Sequence, residues 1–280
     1  MPNAYHRSSN EVSAIVPEIW SQKYYDSLLA ELPMNSLISK DYEGEISALG
    51  DTVNISTVPE FSEGSELPEA DAADAEAVTV TGQQLVINKQ IVKDFIVTKK
   101  ALLQSIPFVE KLKELAVYAI QKKIHSLILS LTVPSAAPDH TIAAITPGTL
   151  VLADLLALKE LLDNQNIPMS DRHLGLGAGP LNDIFNINGF TSSDFVASGS
   201  PLTSGQLPGQ LLGFMPHFST LFASVVYGFH SSYFTMASQK GLEVEEVSLA
   251  SEGRRATRVN TTTLLGMKQL SDKRVVALTV

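Results

Sequence analysis

The sequence predicts an α+β fold in which a long β-hairpin projects from a packed body, and three stretches predict it. Residues 53–58, Val-Asn-Ile-Ser-Thr-Val, alternate apolar and polar, and the alternation restarts at Val78 and Val80 and runs on through Leu85, Ile87, Ile91, Phe95 and Val97. That is the period of half-buried strands. Between the two runs lies 59–77, PEFSEGSELPEADAADAEA, with seven carboxylates and no lysine or arginine. Residues 107–131 then keep apolar side chains at helical spacing, about seven turns of helix. The chain closes on the alternating runs 242–249, 254–265 and 275–280.

In order, residues 1–14 read as an arm. Val16 to Leu32 reads as a short helix, with Ile19, Tyr24, Leu28 and Leu32 at three-to-five-residue spacing and Pro17 in a first turn that tolerates it. Trp20, the one tryptophan, is expected to anchor this arm in a core. Gly50-Asp51 turns into the hairpin. Its acidic loop has too few apolar residues to offset the entropy of ordering it, so it should become ordered only against something basic.

In the long helix, Phe108, Leu112, Leu115, Ala119, Ile124, Leu127 and Leu131 are the expected buried stripe, with Lys111, Lys113, Lys122 and Lys123 toward the polar side. Pro134 and Pro138 stop it. A second helix is expected from Thr149, as N-cap, to Asn164, closed by Asn166-Ile-Pro168. Arg172–Pro180 reads as a strand ending in a glycine turn. Residues 190–213 form a long Ser/Gly/Pro loop, and short strands over 214–236 pack on the helix. The strand at 242–249 slips phase at Glu245-Glu246, as a bulge would. Ser251-Glu-Gly253 turns the chain into the strand 254–265.

Composition narrows the function. A formal charge of −10 argues against a nucleic-acid reader. Cysteine is absent, which excludes disulfides, thiolate nucleophiles and cysteine metal sites. No apolar run is long enough to span a membrane, and the start Met-Pro-Asn-Ala-Tyr-His-Arg lacks a signal-peptide core, so the protein is expected to stay in the compartment of synthesis. Hydrophobic content of 44% supports a full core, while charged content of 18% suits a surface buried against other subunits as well as it suits a large ordinary α/β core.

No catalytic, cofactor or metal residues are assigned. Gly175-Leu-Gly-Ala-Gly179 lacks the lysine of a phosphate loop, and Pro180 is expected to oppose the turn into a helix. There is no Gly-x-Ser-x-Gly elbow. The six histidines, at 6, 125, 140, 173, 217 and 230, show no HExxH or i, i+4 pairing. The acidic loop lacks the ligand alternation of an EF-hand. The residues alone therefore imply an oligomeric α/β protein with an acidic hairpin.

Arm, long hairpin, long helix, α/β unit and returning strands occur in the order of the HK97-fold major capsid proteins of tailed bacteriophages, which this chain resembles over nearly its whole length. The text that carries the resemblance is Gly50-Asp-Thr-Val-Asn-Ile55, Leu161-Leu-Asp-Asn-Gln-Asn-Ile-Pro168 followed by Arg172, Gly209-Gln-Leu-Leu-Gly-Phe214, Lys240-Gly-Leu-Glu-Val-Glu245, and Gly266. The resemblance implies an N-terminal arm and short helix (1–40), an E-loop hairpin (41–99), a P-domain spine helix (100–135), an A-domain (136–239), long P-domain strands (240–265) and a C-terminal A-domain strand (266–280). It implies a non-enzymatic virion protein without cofactors, assembled in the host cytoplasm. Copies would form pentamers and hexamers that close into an icosahedral shell, contacting packaged DNA non-specifically. The short arm implies a separate scaffolding protein or a segment already removed, and the other expected partners are a portal and a decoration protein. The contact residues expected between subunits are Glu60, Glu63, Glu66, Glu69, Asp71, Asp74 and Glu76 on one side, and Lys111, Lys122, Lys123, Arg254, Arg255 and Arg258 on the other. Between Asp41 and Asn88 there is no lysine, so the isopeptide bond that some family members make from the E-loop is not expected. An encapsulin-like compartment shell is the alternative within the fold; an α/β hydrolase or ligand-binding enzyme is the alternative outside it.

Overall fold

The computed structural model describes residues 29–43, 52–59, 61–64, 66, 76–100, 106–187, 190, 207, 209–252 and 255–280. The expected helix at 16–32 lies outside them up to residue 28. Its last residues, 29–32, are not helical, and the arm's helix is instead the single turn α1 (Met34–Leu37). Strands β1 (Thr52–Thr57) and β2 (Thr81–Val86) pair antiparallel, Val53 opposite Leu85 and Ile55 opposite Gln83. Strand β3 (Lys89–Thr98) joins β9 (Ala256–Gln269) and β8 (Phe234–Ser248) in a three-stranded antiparallel sheet, order β3-β9-β8. A five-stranded mixed sheet has the order β4 (Thr141–Ala143), β10 (Val275–Thr279), β7 (Val225–His230), β5 (Arg172–Leu176), β6 (Met215–Phe218). The helices are α2 (Ile106–Leu131), α3 (Leu152–Asn164) and α4 (Ala178–Asn186).

Two expectations about strands are corrected. The run from Val78 to Val97 is two strands in two sheets, because Ile87-Asn88 carries the chain from the hairpin onto β9. At that crossing a Cβ on Gly266 would stand 2.7 Å from the Val86 carbonyl oxygen, so the hairpin base needs glycine there. The bulges of β8 lie between Ser238 and Lys240 and between Lys240 and Glu243, ahead of the expected Glu245-Glu246.

Helix α2 is one residue longer at its start than predicted and spans about 39 Å. It buries Val109, Ala116, Ile120, Ile124 and Ile128; the side chain of Phe108 lies outside the described residues, and of the rest of the expected stripe Ile124 alone is buried. Leu112, Leu115, Ala119, Leu127 and Leu131 are half-buried. Apolar residues cover more of the circumference than one neighbour occupies, so periodicity alone cannot choose the inner face. Ile120, Ile124 and Ile128 pack with Phe229, Tyr233, Phe234 and Leu265, which joins the helix to both sheets.

The second helix starts at Leu152, with Val151 and not Thr149 at its N-cap. The buried Asp154 carboxylate supplies the missing acceptor, taking the N–H of Val151 (3.1 Å) and of Ile145 (3.0 Å). Its C-terminus is a Schellman motif. Asn166 adopts φ 54°, Ile167 N–H donates to the Leu162 carbonyl (3.3 Å), and Asn166 N–H donates to that of Asp163 (3.0 Å). Arg172, 2% exposed, completes the turn by donating to the carbonyls of Pro168 (2.9 Å) and Ile167 (2.5 Å) and to Asp163 Oδ1 (2.7 Å). The spacing from Leu161 to Arg172 is thus the wiring of one helix stop. Lys159, and with it Arg172, holds the Asp163 carboxyl below the usual carboxylate range against its own desolvation.

The glycine run does lead into a helix. Gly177 caps α4, and Pro180 sits in the first turn, where its missing N–H would have had no helical partner. A Cβ at Gly177 would lie 1.8 Å from the Ala223 carbonyl oxygen, so close backbone approach, and not phosphate binding, accounts for that glycine.

Candidate assembly surface

The β1–β2 ladder buries one side only, with Val53, Ile55, Leu85 and Ile87 clustering around Ala237. Beyond Thr57 and Thr81 the two arms still run together, since Ser62 N–H and Oγ both donate to Glu76 Oε2 (3.0 and 2.7 Å). Glu76, expected to contact another subunit, therefore already has an acceptor role within the hairpin. Glu63 and Glu66 are exposed. Glu60, Glu69, Asp71, Asp74 and Arg254 lie outside the described residues.

Sequence reasoning stressed charge and missed the apolar residues beside it. Val58, Phe61, Val78 and Val80 are 47–65% exposed on the same two arms. Four large apolar side chains thus stand exposed along the two paired arms, which makes the hairpin the candidate contact surface. Their alternation was legible, but nothing local told whether a core in this subunit would cover them.

Two of the expected basic partners, Lys111 and Arg258, have work inside the chain. Lys111 pairs with Glu114 one helical turn on (3.2 Å). Lys113, which is not among the expected contacts, reaches Glu246 of β8 and helps seat α2 on the sheet. Arg258 pairs with Asp94 across the β3–β9 ladder. Lys122, Lys123 and Arg255 are exposed. Lys122 and Lys123 stand next to each other on the exposed side of α2 and, with Arg255, are the expected basic contacts left facing solvent among the described residues. The structure does not bring Glu63, Glu66 or Glu76 onto any of these groups within one chain: each ion pair named here has another acid.

The N-terminal strap ties the units together. Tyr118 Oη donates to the Ala30 carbonyl (3.0 Å), Ser219 Oγ to that of Glu31 (2.6 Å), and Asn35 Nδ2 to that of Gln121 (3.0 Å). Met34 and Ile38 enter the core under α2, and Ser39 bridges Thr235 at the start of β8.

Among the described residues no cluster of three or more metal-ligating side chains occurs. No helix among them is long and apolar enough to cross a membrane. Of the histidines, His125 is buried against Phe222, and burial pushes it down to about 4. His173 and His217 meet ring to ring across β5 and β6, which no local spacing announces.

No family model matches the sequence, and no curated protein matches it. Solved structures do. A chain of Mycobacterium phage Che8 superposes with TM-score 0.77 at 22% identity, covering 94% of this chain and 96% of that one. A chain of the capsid of the cyanophage P-SCSP1u gives 0.74 at 11% identity, over 96% and 94%. One from the mature capsid of bacteriophage PhiM1 gives 0.73 at 10%, over 94% and 91%. At such identities the likeness shows the fold: the described residues have the mixed helix-and-sheet fold of these phage capsid structures.

Proposed function

We propose that the protein is the major capsid protein of a tailed bacteriophage, a structural and non-enzymatic subunit. The observation that carries this reading is coverage, since more than nine-tenths of this chain and of each neighbour's superpose. Copies assemble into pentamers and hexamers, and these close into an icosahedral shell around phage DNA. The domain division follows from it: arm to residue 40, E-loop hairpin, spine helix, A-domain built on the five-stranded sheet, and P-domain strands. The pairing of β3 with β9 supports counting Lys89–Thr98 with the spine side and not with the hairpin. The subunit's partners are then further copies, a scaffolding protein, a portal and a decoration protein, and its place is the virion.

The exposed hairpin supports a specific contact between subunits. Val58, Phe61, Val78 and Val80 supply apolar area, and Glu63, Glu66 and the neighbouring acids steer it toward basic groups such as Lys122, Lys123 and Arg255 of the next copy. An exposed ion pair contributes about 0–1 kcal/mol and is screened by salt, so the apolar part must hold the contact and the charges set its register. Electron microscopy of the purified protein is the test. Closed shells are the expected result; a monomer or small oligomer under all ionic strengths would overturn the reading.

A further inference from the structure

One pair of side chains is left unused by the shell reading. His173 Nδ1 and His217 Nε2 are 3.1 Å apart, with ring centroids at 5.2 Å. His173 is buried on β5, with Phe229 of β7 against its other side at 5.6 Å. His217 is half-buried on β6, the edge strand, which pairs only with β5. Ser219, two residues on, is fully buried and holds the strap through the Glu31 carbonyl.

We infer that the His173–His217 contact is an acid-labile clasp that fastens edge strand β6, and through Ser219 the N-terminal strap ahead of Met34, to the body of the subunit. Two neutral imidazoles share one proton along the N···N line, one ring donating and the other accepting. A first added proton goes to an outer nitrogen and leaves that bond intact. A second must occupy the accepting nitrogen, so two N–H groups then face each other and two like charges stand on adjacent rings. The clasp opens at that second step, and the titration belongs to the pair.

The surroundings favour the neutral pair at neutral pH. Burial, then His217 and more weakly His230, push His173 down to about 4, with Asp171 opposing. His217 is also lowered by burial, with the Glu31 carboxylate of the strap opposing. On the far side of the sheet His230 is lowered by burial and by Arg274 and Arg172, with Asp171 opposing, and is held to Ser232 (2.8 Å). The sign follows. A histidine whose folded value lies below its ordinary one favours the open state as pH falls from about 6.5 toward 4. Local opening that restores the ordinary value of His173 is favoured about 50-fold more at pH 4.5 than at pH 7. Met34 and Ile38 remain anchored in the core under α2. That core borders a second buried histidine, His125 against Phe222, which burial also pushes down to about 4, so the clasp is read in a His125→Leu background.

The test uses the full chain at pH 7 and 4.5. Amide exchange, corrected for its intrinsic pH dependence, reports residues 215–222. A spin label on Leu29→Cys, the only cysteine in the chain, reports the strap. Expected in the His125→Leu background are a rise in exchange of tens of fold at 215–222 and a mobile label at pH 4.5, with α2 and β9 amides changing far less and full reversal at pH 7. His173→Gln, which removes the ring whose shift carries that factor, should abolish both responses; His217→Gln, which leaves His173 buried but removes the facing imidazole, should weaken them; Glu31→Gln should keep them. A response that survives His173→Gln, is undiminished in His217→Gln, disappears in Glu31→Gln, or spreads equally to α2 and β9 overturns the clasp. Should His173→Gln fold poorly, the weakening in His217→Gln serves in its place. The outcome is independent of whether closed shells form, so failure here and failure of the capsid reading are distinguishable.

Discussion

The five-stranded sheet and the β1–β2 hairpin are both made of alternating or apolar β-sequence, yet one is finished by its own chain and the other is not. Every residue of β5 is buried, as are Val275 to Leu278 of β10, between α3 on one face and the aromatic cluster on the other. In the hairpin the buried residues are Val53, Ile55 and Leu85, and the arms beyond them hold valines and a phenylalanine in water. Strand β8 passes from one regime to the other: Phe234 to Ala237 are buried, whereas from Lys240 onward all but Glu243 are exposed. The difference teaches where the subunit's stability resides and where its association does. Area already buried within the chain holds the fold, and the exposed apolar area is what the proposed contacts with other copies would draw on.

That contrast can be broken on its stable side first. Arg172→Ala removes a buried guanidinium with three partners and strands two carbonyls at the end of α3; a loss of about 4 kcal/mol is expected in urea unfolding. Leu158→Ala, a fully buried side chain seated on β7 at Gly228, should cost about 3 kcal/mol by the same measurement. A pH titration sharpens it next. His125 is buried without a partner for either ring nitrogen, and its folded value is lowered, so wild-type stability falls as pH drops below about 6.5. His125→Leu should be close to wild type at pH 7 and more stable than it by about 2 kcal/mol at pH 4.5; equal unfolding midpoints at pH 4.5 would contradict this.

On the hairpin side the effects on folding should be smallest and those on association largest. Val80→Ala, or the triple reversal of Glu63, Glu66 and Glu69 to lysine, should change subunit stability by less than about 0.5 kcal/mol. Either change should nonetheless reduce shell yield in sedimentation, the charge reversal more so at low salt. Normal shells from both variants would remove the hairpin from the contact. Last, no covalent change is expected at all. The hairpin from Asp41 to Asn88 offers no lysine amine and the chain no thiol. Assembled particles boiled in denaturant should therefore run as one band near 30.2 kDa.

Local chemistry was enough for much of this. The ends of α2, the stop of α3 before Pro168, the hairpin's first strand and the final strand were readable because each rests on residues within a few positions: proline's fixed φ, an asparagine that accepts the left-handed region, alternation against one face. The long acidic insertion reads as a projection because its composition cannot bury itself, but residues 67–75 lie outside the described residues. Other features had to wait for the tertiary structure. One alternating run, 78–97, became two strands in two sheets, since a period of two says that a strand exists but not what it pairs with. The inner face of α2 was set by which neighbours arrived, on a helix apolar over much of its girth. Arg172, a surface residue by type, was buried because three acceptors from one turn converge on it. The meeting of His173 and His217 depends on the parallel pairing of β5 with β6, a contact between segments 44 residues apart. Propensity, capping and patterning act over one or two turns of chain, and those the sequence determined by itself; partner choice, burial phase and side-chain convergence are set by long-range packing, which only the folded chain decides.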